Sequence, residues 1–328
     1  MDNAPFFVIG AQRSGTTLLR LMLAAHPRLI IPPESHFIPD LYRFEQGSGG
    51  LDGRRAEVAD LLVNHDRLVD FELGAEWIRS TVRTLHPLTT KTITGAIFDE
   101  YARRRGKVRW GDKTPRYRSF VPELRSLFPE SRFIHLVRDG RDTALSAWKA
   151  DFGPRTWVGA TYLWRDSVRA AYHSGRTLPP EAFSEVRYED LLSDPRATLE
   201  RVCAFLGETF HEDMLRHSEI ASTLVPSWEK SWHAKLERPI NSDNSGKWRQ
   251  ELSDEQIALF ERVAGAELEQ FGYPLVRPKV RVASQARIQG LRAYHHMVNT
   301  AGQVKAVFVS QPPLVQTAYR PAKVAVTV

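Results

Sequence analysis

Glycine, hydroxyl and guanidinium side chains crowd into Gly10-Ala11-Gln12-Arg13-Ser14-Gly15-Thr16-Thr17, close to the start of a 328-residue chain. The chemistry open to such a cluster is the binding of an anion. Gly10 and Gly15 let the backbone wrap closely around it. The free N–H groups at the start of a following helix, with the helix dipole, favour its negative charge. The pattern differs from the nucleotide loop Gly-x4-Gly-Lys-[Ser/Thr], in which a lysine and a metal-binding hydroxyl serve a triphosphate with magnesium. Here Thr16 holds the lysine position and the cation comes earlier, at Arg13. Arg13 with Ser14, Thr16 and Thr17 suits a sulfate or phosphate held by hydrogen bonds, without metal.

A second guanidinium and hydroxyl, Arg138 and Ser146, stand eight residues apart and make a second anion site. Two more residues have chemical potential. Glu34 follows Pro32-Pro33, which blocks helix and ladder alike. Either it serves as a base, or it is merely solvated while Ser35 caps the helix that follows. Lys113, in Asp112-Lys113-Thr114-Pro115, is either an active-site cation or a plain surface lysine. His135 lies inside an apolar run and reads as a packed core histidine. The eleven histidines show no helical ligand spacing, His295 and His296 are adjacent, and no metal is expected.

These residues need a scaffold that delivers strand ends to one place. Pro5 to Gly10 is a short apolar run bounded by glycine, the mark of a buried strand, and apolar residues then recur at helical spacing from Leu18. Leu29 to Ile31 is a second strand, and a helix is expected from Phe37 to Phe44. Residues 45–53 read as a flexible loop, a candidate lid. Helical patterns at about 54–65, 74–85 and 90–105 form an insertion that would shape an acceptor pocket. A short strand beginning near Val108 ends at Lys113, and Arg132 to Val137 is a central parallel strand. Helices follow at about 143–149 and 154–174, and a strand at 183–187. Asp194-Pro195 opens a helix ending at Gly207, and Ser253-Asp254-Glu255 caps another running to about Gln270. Alternating strands and helices predict an α/β fold, a P-loop-like three-layer sandwich with a central parallel sheet flanked by helices.

Composition narrows the class further. Hydrophobic residues make up 42% and charged residues 26%, ordinary for a globular protein. The formal charge of +6 resides in the tail: residues 277–328 hold eight Lys/Arg and no Asp or Glu, which leaves 37 basic against 39 acidic residues before them. The body is therefore not expected to bind nucleic acid. One cysteine, Cys203, rules out an internal disulfide framework, and no membrane span or signal peptide is read. A cytoplasmic protein is expected, with a catalytic body over 1–276 and a basic extension over 277–328. That extension carries a helical pattern near 284–298 and apolar runs at 304–309 and 314–316.

Taken together, the two anion loops resemble those of sulfotransferases that use 3′-phosphoadenosine 5′-phosphosulfate. Gly10 to Thr17 is similar to that family's 5′-phosphosulfate loop, and Phe133 to Ser146, with Arg138, to its 3′-phosphate site. The resemblance runs from about residue 5 to 276, nearest to protein-tyrosine sulfotransferases and their bacterial relatives. It implies that Glu34 is the general base, that Lys113 contacts the transferring group and that Tyr188 lies near the adenine. Lys247-Trp248 resembles a basic loop reaching the phosphates. Where peptide-specific relatives carry arginines this chain has His36 and Asp40, and Trp232 stands at the position of a late serine. Peptide specificity is thus not implied, and the acceptor is a small molecule, a sugar or a peptide tyrosine. A homodimer is compatible with the resemblance. The implied chemistry is in-line sulfuryl transfer to a hydroxyl or amine, with Glu34, Lys113 and Arg13 catalytic. The alternatives are a P-loop kinase using ATP and magnesium, or a non-catalytic nucleotide-binding protein of the same fold.

Overall fold

The computed structural model describes residues 3–226 and 244–286, together with 288–291, 293 and 297. Trp228, Lys230, Trp232, Lys235, Arg238, residues 241–243, His295, His296 and the apolar runs at 304–309 and 314–316 lie outside the described residues, as does part of the helix expected at 284–298. One compact unit comprises Met1–Arg281 and a second Val282–Val328. No helix of the described residues is long and apolar enough to cross a membrane.

Five strands among the described residues form one sheet: β1 (Phe6–Gly10), β2 (Leu29–Ile30), β3 (Arg109–Lys113), β4 (Arg132–Val137) and β5 (Phe183–Arg187). Their order is β2-β3-β1-β4-β5, and every pairing is parallel. In β1 the period-2 alternation of a strand splits its side chains between two cores. Phe7 and Ile9 join Phe133 in one cluster, while Phe6 and Val8 join Ile134 and Leu136 in the other. The second cluster is closed by Leu19, Met22 and Leu23 of α1 (Thr16–Ala25). The first is closed by residues of α2 (Phe37–Ser48), α3 (Arg55–Val63), α4 (Ala75–Thr84), α5 (Thr90–Arg104) and α6 (Val121–Leu127). A sheet buried on both faces needs nearly continuous apolar strands, as β1 and β4 are. The three-layer α/β sandwich expected from the sequence is thus the fold.

Because all five strands run the same way, their carboxyl ends share one edge of the sheet. Ligands of open α/β sheets bind along that edge. The helices leaving it are α1 after β1, α7 (Gly140–Trp148) after β4 and α9 (Tyr188–Ser193) after β5, with α8 (Trp157–Arg176) between β4 and β5.

Three local expectations are corrected. The helix expected to stop at Phe44 continues to Ser48 and ends at Gly49, whose φ is 69°. The 45–53 stretch is not a free loop: Glu45 accepts the Thr90 N–H at 3.0 Å and Asp52 accepts the Leu88 N–H at 3.3 Å. These two carboxylates fix the segment to the start of α5, which leaves it unsuited to the role of a lid. Nor does Ser35 cap α2. The N-cap is His36, with no side-chain cap, and the Ser35 hydroxyl is turned inward to Asp112 and Tyr117.

Candidate functional site

The 10–17 loop joins β1 to α1 in the way an anion cradle requires. Ser14 spends its hydroxyl on the loop itself, donating to the Ala11 carbonyl at 2.7 Å. Arg13 and Gly15 both adopt positive φ, 68° and 97°. Gly15 is the N-cap of α1, and no side chain caps that helix or places an acid in its first turn. The first-turn N–H groups and the dipole are thereby left to an external anion. Gly15 cannot be replaced cheaply, since a Cβ there would stand 2.4 Å from the Tyr188 ring. Tyr188, the first residue after β5, therefore forms a wall of the cradle.

Lys113 is the hub of the site. It ends β3, is 1% exposed, and its ammonium lies 2.6 Å from Glu34 Oε1. The same ammonium donates to Thr17 Oγ1 at 3.4 Å. The lysine therefore links the cradle to the glutamate that leaves β2. The second carboxylate oxygen of Glu34 meets His36 Nε2 at 2.8 Å. Burial works to raise the Glu34 pKa, but Lys113 and then His36 outweigh it and hold the carboxyl well below the usual range. Glu34 is thus ionised at neutral pH and clamped from both sides. Asp112, beside the lysine, takes no part in that pairing. Burial pushes its pKa up to about 6, against the opposing bonds from Ser35 and Thr114. The network of Asp112, Ser35, Thr114 and Tyr117 fixes the backbone on either side of Glu34 and Lys113.

Arg138 leaves the end of β4. Its Nη1 donates to the Arg13 carbonyl at 3.1 Å, and its guanidinium lies 4.8 Å from the Tyr188 ring centre. Its Nη2 donates to the carbonyl of Asn244. Ser146, on α7, accepts from Arg13 Nε at 3.2 Å. The two anion sites read separately in the sequence are thus one continuous surface, bridged by Arg13. Arg138 Nε is buried with no hydrogen-bond partner among the described residues. A buried cation with an unsatisfied donor costs free energy that a bound anion would recover, so these residues fit a phosphate. Lys247 is half-buried, whereas Trp248 is buried, its ring stacked against Arg141 at 3.7 Å and Arg249 at 4.3 Å. His135 is fully buried, as its apolar strand implies, and its Nδ1 meets Glu185 at 3.0 Å.

Of the residues singled out in the sequence, Arg13 to Thr17 after β1, Glu34 after β2, Lys113 on β3, Arg138 and Ser146 after β4 and Tyr188 after β5 lie at or beside the carboxyl edge. Two participants escaped the sequence. In the sequence His36 reads only as a departure from peptide-specific relatives, and its pairing with Glu34 has no signal, because that approach comes with a positive φ of 54° that a histidine rarely adopts. Asp142 had one, an acidic residue in the first turn of α7, where an acid favours the dipole.

A profile of the sulfotransferase family matches residues 5–212. A putative protein-tyrosine sulfotransferase of Caenorhabditis briggsae is 22% identical over 266 residues, spanning 79% of this chain and 85% of that protein. The nodulation protein NoeE of Sinorhizobium fredii is 28% identical over 282 residues, spanning 80% and 64%. Among solved structures, the sulfotransferase domain of the Synechococcus PCC 7002 olefin synthase superposes with a TM-score of 0.61 at 28% identity, covering 84% of this chain and 96% of that one.

Proposed function

From the premise that this chain belongs to the sulfotransferase family and is a sulfotransferase, we propose that its donor is 3′-phosphoadenosine 5′-phosphosulfate and its general base is Glu34. The observation that carries this reading is the position of Lys113, within 2.6 Å of Glu34 and 3.4 Å of Thr17. It joins the anion cradle to a carboxylate able to take a proton.

The donor brings an activated sulfuryl group whose bond to a phosphate oxygen must break as the bond to the acceptor oxygen or nitrogen forms. Thr16, Thr17 and the first N–H groups of α1 hold the phosphosulfate. Arg138 and Ser146 hold the 3′-phosphate, remote from the reacting atoms, with Lys247 beside them and Tyr188 at the adenine. Trp248 contributes through the backbone of its segment, because its ring is buried. Arg13 and Lys113 stabilise charge growing on the phosphate oxygen that departs. Glu34 receives the acceptor proton. Clamped by Lys113 it is a weak base, and it gains basicity as the ammonium turns from the carboxylate to the donor. Lys113 thereby couples occupancy of the cradle to activation of the base. The acceptor is a hydroxyl or amine compound. His36 beside Glu34, and Asp40 in the first turn of α2, stand where peptide-specific relatives would carry arginines, which argues for a small alcohol, phenol or sugar.

Calorimetric titration tests the reading. Adenosine 3′,5′-bisphosphate should bind more tightly than ATP with magnesium, and Arg138→Ala should weaken the bisphosphate by about 10- to 100-fold, the value of a charge-assisted contact. Tighter binding of ATP with magnesium, or an unchanged affinity in Arg138→Ala, would overturn it.

A further inference from the structure

Arg138 is oriented by two backbone carbonyls, that of Arg13 on one side and that of Asn244 on the other. The Arg13 loop is fixed by the sheet and α1. The segment 244–248 arrives from a distant part of the chain and needs its own anchor, and Asp142 supplies one. Its side chain is fully buried in the first turn of α7. One carboxylate oxygen accepts the Gly246 N–H at 2.7 Å and the other the Trp248 N–H at 2.9 Å. Arg138 Nη2 stands 3.9 Å from the same carboxylate, close enough for attraction but beyond a hydrogen bond. The carboxylate therefore balances the guanidinium without occupying its donors. A buried carboxylate with two backbone donors holds a fixed geometry, and the stacking of Trp248 on Arg141 continues the attachment.

We propose that Asp142 is a positioning residue for the nucleotide. It fastens the 244–248 segment to α7, and the segment in turn sets the Arg138 guanidinium that recognises the 3′-phosphate. Asp142 touches no substrate. Its effect is on selectivity for a nucleotide carrying a 3′-phosphate over one lacking it. The proposal rests on the nucleotide reading above.

The test titrates adenosine 3′,5′-bisphosphate and adenosine 5′-phosphate into the parent protein, Asp142→Asn and Arg138→Ala. The asparagine keeps the shape but turns an NH2 group toward one of the two backbone N–H donors. Asp142→Asn should weaken the bisphosphate about 10- to 30-fold and the monophosphate less than about threefold, lowering the selectivity ratio as Arg138→Ala does. General destabilisation would weaken both ligands alike. If Arg138→Ala lowers the ratio and Asp142→Asn does not, the positioning role is wrong. If Arg138→Ala also leaves it unchanged, the nucleotide reading itself fails, and this inference with it. Hydrogen exchange on the parent protein gives a check that needs no variant. The Gly246 and Trp248 amides should be protected and gain protection with the bisphosphate; exchange at unprotected rates in its presence would overturn the anchor.

Discussion

Lys113→Met perturbs the centre of the site while nearly preserving side-chain volume. The substitution removes an ammonium that is 1% exposed and 2.6 Å from a carboxylate whose side chain is 22% exposed. At an effective dielectric near 20, that separation gives a gross attraction of about 6 kcal/mol, most of it offset by desolvation of the two charges. Breaking a fully buried pair costs about 3–5 kcal/mol; partial exposure of Glu34 and its second partner, His36, bring the cost to about 2–3 kcal/mol. For the unit Met1–Arg281, at about 2.1 cal/mol/K of unfolding entropy per residue, that is a fall of about 3–5 °C in Tm. A double-mutant cycle with Glu34→Gln isolates the pair and should give a coupling of at least about 1.5 kcal/mol at pH 7. Its pH dependence has a definite sign. Burial opposes ionisation of Glu34, but Lys113 and His36 hold its folded-state pKa below the ordinary 4.5. The stabilisation is therefore complete above about pH 4.5 and lost as pH falls through the lower folded-state value. Urea unfolding of the four proteins at neutral and acidic pH measures it. A coupling below about 0.5 kcal/mol at pH 7, or one that grows on acidification, would refute the reasoning.

Three further outcomes follow from other parts of the site. Glu34→Gln should lower turnover by about 10²- to 10⁴-fold with little change in bisphosphate affinity, read by steady-state kinetics on an acceptor found with radiolabelled donor; a fall under about threefold would remove Glu34 as the base. Gly15→Ala should cost about 1–3 kcal/mol and weaken bisphosphate binding at least about tenfold, because its φ of 97° and the 2.4 Å approach to Tyr188 leave no room for a methyl group. Thermal unfolding and calorimetry check it, and unchanged binding would exclude Tyr188 as a wall of the cradle. Asp112 should act on pH dependence in the opposite sense to Glu34. Burial raises its pKa from 3.8 to about 6, so the folded state holds the proton more tightly and loses up to about 3 kcal/mol as pH rises between those values. Asp112→Asn should flatten that decline in urea unfolding between about pH 4 and pH 7, and an unaltered profile would show that Asp112 is ionised at no such cost.

The strands and the cradle were legible because their signals are local. The apolar run of β1, the glycines and hydroxyls after it, and the Asp194-Pro195 and Ser253-Asp254-Glu255 helix starts each act within a few residues. Asp194 and Ser253 indeed accept the N–H groups that such caps require. The 45–53 stretch misled because Gly47, Gly49, Gly50 and Gly53 favour a loop, whereas α2 runs on to Ser48 and carboxylate contacts to residues 88 and 90 hold the stretch in place. Ser35 misled for the same reason. A serine before a helix is an ordinary cap, but Asp112 and Tyr117 from β3 and the turn after it claimed its hydroxyl.

By itself the sequence named the polar groups that line the carboxyl edge, and an arginine and hydroxyls in a glycine-bearing turn after a buried strand raised the expectation of an anion there. It could not determine which of those groups meet. Glu34 and Lys113 are 79 residues apart, Arg13 and Ser146 133 apart, and Asp142 and Gly246 104 apart. Only the strand order β2-β3-β1-β4-β5, with all carboxyl ends on one edge, brings them into contact. That order follows from burying two apolar faces at once, a property of the whole sheet that no single segment encodes. The tertiary structure also decided the protonation states, since Glu34 is held ionised by a lysine from another strand and neighbouring Asp112 is held back by burial.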